Sequence, residues 1–187
     1  MFQQRFAAYV DQYVLIGGTA ASLTMEQAGL EFRATKDLDI VLHVEALTPE
    51  FGATFWRFVA DGGYEIRQAS ATGKPIFYRF QKPADPGFPF MVELFARTPE
   101  GLEIAAGSQL TPIPLDEAMS SLSAILLNTD YYDFIMTGRR VVAGLPWVGE
   151  DRLIPLKAIA WLELSARKEQ GDAVGCSGLE RRAETPQ

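Results

Sequence analysis

An alternating stretch from Asp37 to Val44 constrains the fold of this chain more than any other segment. From Leu38 onward every second residue is aliphatic, while Asp37 and Asp39 open the opposite face. Such a period of two is typical of a β-strand with one buried face. Since residues i and i+2 of a strand point to the same side, roughly 6–7 Å apart, the two carboxylates are predicted to project together. They repel each other unless a cation lies between them, and hard divalent cations bind carboxylate and phosphate oxygens.

A glycine pair, Gly17-Gly18, lies between the apolar run Tyr13–Ile16 and a segment that is predicted to be helical from Thr19 to Ala28. Glycine lets the backbone approach an anion closely, and the amides at a helix start favour phosphate. Thr19 adds a hydroxyl. A glycine pair alone is more often an ordinary turn than a phosphate-binding site. An Asp-x-Asp motif alone is more often a solvated strand start than a catalytic pair. Their order along the chain favours a phosphate and metal site, and no Gly-x-x-x-x-Gly-Lys-Ser/Thr pattern offers a P-loop instead.

Glu93 is the candidate for a third carboxylate. It is the only acid within the apolar strand predicted from Phe90 to Phe95, where an unpaired carboxylate would be costly to bury. Two metal ions about 3.5–4 Å apart need such a further ligand. We therefore expect Asp37, Asp39 and Glu93 to bind two Mg²⁺ ions, or Mn²⁺ in their place. The expected reaction is in-line transfer of a nucleoside monophosphate from a nucleoside triphosphate to an acceptor hydroxyl.

The 187 residues suit one domain, and strands interleaved with helices predict an α+β fold with α/β-like character. We expect a mixed β-sheet core over about residues 1–145, flanked by helices, and a C-terminal helix over about 151–168 with Asp151 as its cap. Together they would form one domain over 1–170, followed by a disordered tail over 171–187. Near the end of the core, Tyr131–Met136 and Arg139–Val142 are predicted to form a β-hairpin.

Charge and cysteine content restrict the class of protein. The net charge of −7 argues against a surface built broadly for nucleic acid. Cys176 is the only cysteine, which excludes an intrachain disulfide framework and fits a reducing compartment. The first residues lack the apolar core of a signal peptide, and no run approaches the roughly 18 apolar residues of a membrane span. A cytoplasmic protein without membrane contact is expected.

Three motifs resemble a known family. Leu15–Ala20 (LIGGTA), Arg33–Ile40 (RATKDLDI) and Leu153–Ala158 (LIPLKA) look like the nucleotidyltransferases of the AbiEii/AbiGii toxin type, within the DNA polymerase β-like superfamily. The resemblance covers roughly residues 10–170. It implies a nucleoside triphosphate near Gly17, Gly18 and Thr19, met by Lys157 from the C-terminal helix. It also implies the toxin of a toxin–antitoxin pair, with an antitoxin partner and a tRNA or protein acceptor.

Several alternatives stay open at this point. From its position in the predicted C-terminal helix alone, Lys157 is expected to be a solvated helix residue. Arg33 and Lys36 fit equally well as ion-pair partners of the two aspartates or as phosphate contacts. His43 lies about 13 Å along the strand from Asp39, which places it outside a shared metal site. The end of the chain, GCSGLERRAETPQ, differs from the Lys-, His-, Asn- and Asp-rich continuation of the family, so a truncated or out-of-frame tail is expected. A nucleotide- or partner-binding protein without turnover is the alternative function.

Overall fold

A computed structural model describes residues 1–32, 35–68, 75–97, 110–112 and 123–169. These residues fall into two compact units, one over Met1–Leu153 and a second that starts at Ile154. The predicted extent of a single domain over 1–170 stays a prediction. The tail predicted to be disordered over 171–187 lies outside the described residues.

A mixed β-sheet forms the centre of the first unit. Its described strands are β1 (Tyr13–Ile16), β2 (Asp37–Leu42), β3 (Glu65–Gln68), β4 (Pro75–Gln81), β5 (Met91–Ala96), β6 (Leu110–Pro112), β7 (Ser123–Leu126), β8 (Arg139–Val142) and β9 (Leu145–Val148). Their order is β3-β4-β5-β2-β1-β9-β8, and β7 pairs with both β5 and β6. The pairs β2–β5, β1–β9 and β5–β7 are parallel, and the other pairs are antiparallel. The predicted α+β class with a mixed sheet is confirmed.

Helices connect and flank these strands. They are α1 (Phe2–Arg5), α2 (Gly17–Gln27), α3 (Pro49–Gly62), α4 (Thr129–Thr137) and α5 (Glu150–Glu169), with short 3₁₀ turns at Ala7–Tyr9 and Val44–Ala46. α3 begins where its sequence predicts, because the Thr48 hydroxyl accepts a hydrogen bond from the Phe51 amide at 3.3 Å. It ends at Gly63, whose φ of +60° suits glycine. Within the described ranges, no helix combines the length and apolar content that a bilayer crossing requires.

An aromatic cluster packs α3 and the start of the chain against one face of the sheet. Phe6 is fully buried at its centre and stacks on Phe2 with ring centroids 4.3 Å apart. The other members that contact Phe6 are Tyr9, Tyr13, Phe51, Phe55 and Phe58. Phe80 of β4 extends the cluster through Phe55, at 5.5 Å between centroids. This packing fixes which face of β4, β5 and β2 is apolar.

The hairpin predicted from Tyr131 is wrong in its first half. Residues 131–136 belong to α4, which Asn128 caps by accepting a hydrogen bond from the Asp130 amide at 2.8 Å. Tyr132 and Ile135 are both buried, at the spacing of one helix turn. The actual hairpin joins β8 to β9 through Ala143 and Gly144, both at positive φ. Other bounds also shift: β2 ends at Leu42 rather than Val44, and β5 begins at Met91 rather than Phe90. α5 begins at Glu150, so Asp151 lies in its first turn rather than at its cap.

The aromatic cluster yields a stability prediction. Phe6→Ala should lower the free energy of unfolding by about 3–5 kcal/mol, because it opens a cavity among six rings. Phe32→Ala is the matched control, since Phe32 is 45 % exposed, and it should change stability by less than about 0.5 kcal/mol. Urea unfolding followed by tryptophan fluorescence measures both. A Phe6 variant as stable as the control would contradict this account of the core.

Candidate active site

A row of polar side chains crosses the sheet on the face opposite the aromatic cluster. In the sheet register, Arg79 of β4 lies opposite Glu93 of β5, and Glu93 lies opposite Asp39 of β2. Asp39 in turn lies opposite Ile16 at the end of β1. Residues paired in this way share a face, and neighbouring strands are about 4.8 Å apart. Asp37 is two residues before Asp39 and therefore shares the same face. The register thus places the three predicted carboxylates on one face of two neighbouring strands.

Alternation in the first half of β2 is as the sequence predicts, whereas Val41, on the same side as the carboxylates, is fully buried. Asp37 and Asp39 are half-buried, whereas Leu38 and Ile40 between and after them are buried, at 6 % and 0 % exposure. The buried residues anchor the strand in the core and leave the carboxylates on the polar face. The convergent placement of Asp37 and Asp39 follows directly from this burial pattern.

The glycine pair lies against the start of β2. α2 begins at Gly17 itself, two residues earlier than predicted, so both glycines belong to its first turn. Gly17 has φ of +64°, and a Cβ there would lie 2.9 Å from Cγ of Asp39. A Cβ on Gly18 would lie 3.0 Å from the Thr35 hydroxyl. Because the Asp39 carboxylate lies beside Gly17, a phosphate that approached this helix start would meet its negative charge, which a cation between the two anions would offset.

Two hydroxyls hold the backbone of Asp37. The Thr19 hydroxyl donates to the Asp37 carbonyl at 2.8 Å, and the Asp37 amide donates to the Thr35 hydroxyl at 3.3 Å. Thr19 was predicted to contact phosphate, but here its hydrogen is used to tie α2 to β2. A contact from Thr19 to triphosphate stays a prediction. Thr35 was not singled out from the sequence, although a threonine two residues before the strand start is a known signal for such a turn.

Glu93 is buried, at 9 % exposure, and a basic side chain of the neighbouring strand β4 neutralises its charge. Arg79 forms an ion pair with it and donates from both Nε and Nη2 to the same oxygen, Oε1. The sequence pattern suggested that a metal would satisfy this carboxylate, and it did not point to Arg79. The guanidinium therefore holds one carboxylate oxygen, and neither of its contacts involves Oε2.

The three carboxylates match the donor type that magnesium or manganese prefers. They occupy adjacent positions of one sheet face, with Asp39 directly beside Glu93. Among the described residues, however, no group of three or more His, Cys, Asp and Glu side chains is close enough to hold a metal ion. The donor set fits the metal in kind, although the three side chains as placed do not converge on one ion.

The remaining predicted contacts are placed differently. Lys157 lies in α5, within the unit that starts at Ile154, and its side chain is exposed. Its contact with triphosphate stays a prediction, and Arg33 lies outside the described residues. Lys36 is exposed and lines a cavity of about 510 Å³ together with Thr19, Thr35 and Asp37. Of the two basic residues that flank the aspartates, Lys36 is therefore next to the site.

A second polar cluster lies beyond the other end of β2. Glu45 pairs with Arg97 and accepts a hydrogen bond from the Tyr132 hydroxyl at 2.8 Å. Burial opposes the charge of Glu45, but hydrogen bonds from its own backbone, Tyr132 and Arg97 outweigh that effect and lower its pKa. Nδ1 of His43 contacts the Asp11 carbonyl at 2.9 Å, so His43 belongs to this end and not to the carboxylate row. The cluster attaches α4 to the sheet.

The contact between Gly17 and Asp39 yields a prediction about stability. Gly17→Ala should lower the free energy of unfolding by at least about 1 kcal/mol more than Gly29→Ala. Gly29 is the matched control because its φ is +71° but nothing lies within 4 Å of an added Cβ. Adding Asp39→Ala should shrink the difference, since the obstructing carboxylate is then gone. Equal losses at both glycines in urea unfolding would contradict the close packing.

The buried Arg79–Glu93 ion pair yields another prediction about stability. Arg79→Met should cost about 3 kcal/mol of stability, because it leaves Glu93 charged and unpaired in a buried position. The double variant Arg79→Met/Glu93→Gln should recover part of the loss. Lys82→Met is the control, since the Lys82–Glu65 pair is exposed and should contribute less than about 1 kcal/mol. Chemical denaturation of the four proteins tests the pair, and an Arg79 variant as stable as the control would refute it.

No protein family model, curated protein or solved structure matches this chain. The resemblance to AbiEii/AbiGii-type nucleotidyltransferases therefore rests on the three motifs in the sequence and stays a prediction. Function is inferred from the site itself: three carboxylates on one sheet face, a helix start against one of them, and a cavity that Asp37 lines.

Proposed function

We propose that this chain is a metal-dependent nucleotidyltransferase, which transfers a nucleoside monophosphate from a nucleoside triphosphate to an acceptor hydroxyl. One observation carries the proposal: the parallel register of β2 and β5 puts Glu93 beside Asp39, on the face that Asp37 shares. The first turn of α2 lies directly against Asp39, so backbone amides and carboxylates meet at one place. Carboxylates without a helix start, or a helix start alone, would not support this reaction.

In the proposed site, Asp37, Asp39 and Glu93 hold Mg²⁺, and the backbone at Gly17 and Gly18 faces the triphosphate. Bound Mg²⁺ supplies charge neutralisation on the phosphates and a lower pKa for the attacking hydroxyl. The acceptor oxygen forms a bond to the α-phosphorus, and the bond from that phosphorus to the oxygen bridging the β-phosphate breaks. Pyrophosphate leaves with the electron pair, and the hydroxyl proton passes to water. Thr19 and Thr35 contribute by fixing the backbone of Asp37.

The biological setting is part of the same proposal and comes from the resemblance. The acceptor is a tRNA or protein hydroxyl, the chain acts as the toxin of a toxin–antitoxin pair, and Lys157 contacts the triphosphate. An antitoxin protein would then be its partner. A cytoplasmic location fits a chain with one cysteine, Cys176.

A second candidate function is favoured by the Arg79–Glu93 ion pair. Because Arg79 already neutralises Glu93, the site is satisfied without metal on that residue. A protein that binds nucleotide without turnover would keep this pair closed. Steady release of pyrophosphate would exclude a nucleotide-binding protein without turnover. Triphosphate binding without pyrophosphate release would support it.

The leading proposal predicts metal-dependent label transfer. Incubating the protein with α-³²P nucleoside triphosphates, Mg²⁺ and either total tRNA or cell extract should label an acceptor, and EDTA should abolish the labelling. Asp39→Asn and Glu93→Gln should each reduce the rate on the order of 100-fold or more, because each removes a charge that acts on the transferred phosphoryl group.

Asp133→Asn is the matched control for these two substitutions. Asp133 is an exposed carboxylate on α4, away from the carboxylate row, and its replacement should leave the rate unchanged. Thermal melting shows whether each variant is folded. Failure of all four nucleotides to label RNA or protein, with folded protein and Mg²⁺ present, would overturn the enzyme proposal.

A further inference from the structure

A cavity at the start of β2, which Asp37 lines but Asp39 and Glu93 do not, has two walls of different chemistry. Its volume of about 510 Å³ lies within the range of small-molecule sites. One wall comes from α2 and the start of β2 and is largely polar, with Thr19, Lys36 and Asp37. The other comes from the start of the chain and the segment 83–90, and it carries Phe2, Phe88 and Phe90. A ligand that fills the cavity is therefore polar on one side and apolar on the other.

The segment 83–90, here termed the proline loop, is held firmly in place. It contains Pro83, Pro86 and Pro89, which restrict its backbone. The Tyr64 hydroxyl donates to the Pro89 carbonyl at 2.7 Å, and the Ala84 amide donates to the Gly62 carbonyl at 2.8 Å. Such attachments make the loop a preformed wall, which lowers the entropic cost of binding a ligand.

Two phenylalanines of this loop have opposite environments. Phe88 is 8 % exposed and packs on Phe58, with ring centroids 5.0 Å apart, so it anchors the loop to the core. Phe90, the last residue of the proline loop, is 52 % exposed although the loop is anchored. Its amide donates to the Lys36 carbonyl at 2.6 Å, which fixes Phe90 beside the polar wall. Phe90 and Lys36 are therefore neighbours on adjacent strand starts, and both line the cavity.

The polar wall provides positive charge in an acidic chain. The net charge is −7, and Asp37 and Asp39 add negative charge locally. Within the described ranges, Lys36 makes no ion pair with a carboxylate. An ammonium on a flexible stem, next to carboxylates that fit Mg²⁺, suits a phosphate chain. The two walls together match a nucleotide, whose phosphates are anionic and whose base is flat and aromatic.

We propose that this cavity receives the base of the nucleoside triphosphate, with the base stacked on Phe90 and the phosphates near Lys36. The proposal rests on the proposed function, because Asp37, which lines the cavity, is also one of the carboxylates proposed to hold the metal-bound phosphates. It adds a residue that determines whether a base is bound at all. Stacking on an aromatic ring accepts any base, so Phe90 should favour nucleotides over bare polyphosphate and should discriminate little among the four bases.

Calorimetry tests whether the base binds at Phe90. The two ligands are a non-hydrolysable α,β-methylene nucleoside triphosphate and inorganic triphosphate, each with Mg²⁺. The wild type should bind the nucleotide more tightly than inorganic triphosphate. Phe90→Ala should weaken nucleotide binding roughly 5- to 100-fold and leave inorganic triphosphate unchanged, which removes the preference. Phe90→Tyr should retain the preference. Lys36→Met should weaken both ligands by a similar factor.

Phe32→Ala and Lys82→Met are the matched controls, because neither residue lines the cavity, and both should bind like wild type. An unchanged nucleotide affinity in the Phe90→Ala variant, or no preference for nucleotide in the wild type, would overturn the proposal. In the label-transfer assay, Phe90→Ala should raise KM for the triphosphate with little change in kcat.

These two assays separate the base site from the catalytic proposal. If no acceptor is labelled but the nucleotide preference depends on Phe90, the base site stands and the enzyme proposal fails. If label is transferred while Phe90→Ala leaves both affinity and KM unchanged, the enzyme proposal stands and the base site fails.

Discussion

The parallel pairing of β2 with β5 is the interaction on which the site depends. Its register places Asp39 beside Glu93, and the same register aligns Leu38 with Val92 on the opposite face. One set of backbone hydrogen bonds therefore creates both the carboxylate row and the apolar surface that the aromatic cluster covers. A slip of one residue would exchange the two faces and put carboxylates into the core. Burial of the aromatic face consequently protects the geometry of the polar face.

Arg79 gives Glu93 a partner that is not a metal. In the structure it holds Glu93 through a single oxygen, which makes a buried acid tolerable without any bound ion. In the proposed enzyme, metal binding by Glu93 would either use Oε2 or compete with Arg79 for Oε1. The distinction between an enzyme and a binding protein depends on this competition.

Local patterns accounted for much of the fold and part of the site. The strand period predicted that Asp37 and Asp39 share a face, and an acid in an apolar strand pointed to Glu93. Arg79 could not be found in this way, because its partner is set by the register of β4 on β5, which no local pattern encodes. The error at Tyr131–Met136 has a different cause. Tyrosine, phenylalanine and isoleucine favour strands, and the cap at Asn128 and tertiary packing outweighed that propensity. The exposure of Phe90 likewise depends on how the proline loop is anchored.

The order in which β2 and β5 are synthesised has a consequence for how the site forms. The two strands are parallel, so the intervening chain with α3, β3 and β4 must be made before they can meet. Pairings between residues far apart in sequence form late in folding, since their loop closure must be completed first. On the ribosome, Asp37 and Asp39 emerge well before Glu93. A partly synthesised chain thus carries only two of the three acids, and the site can mature only after β5 has left the exit tunnel.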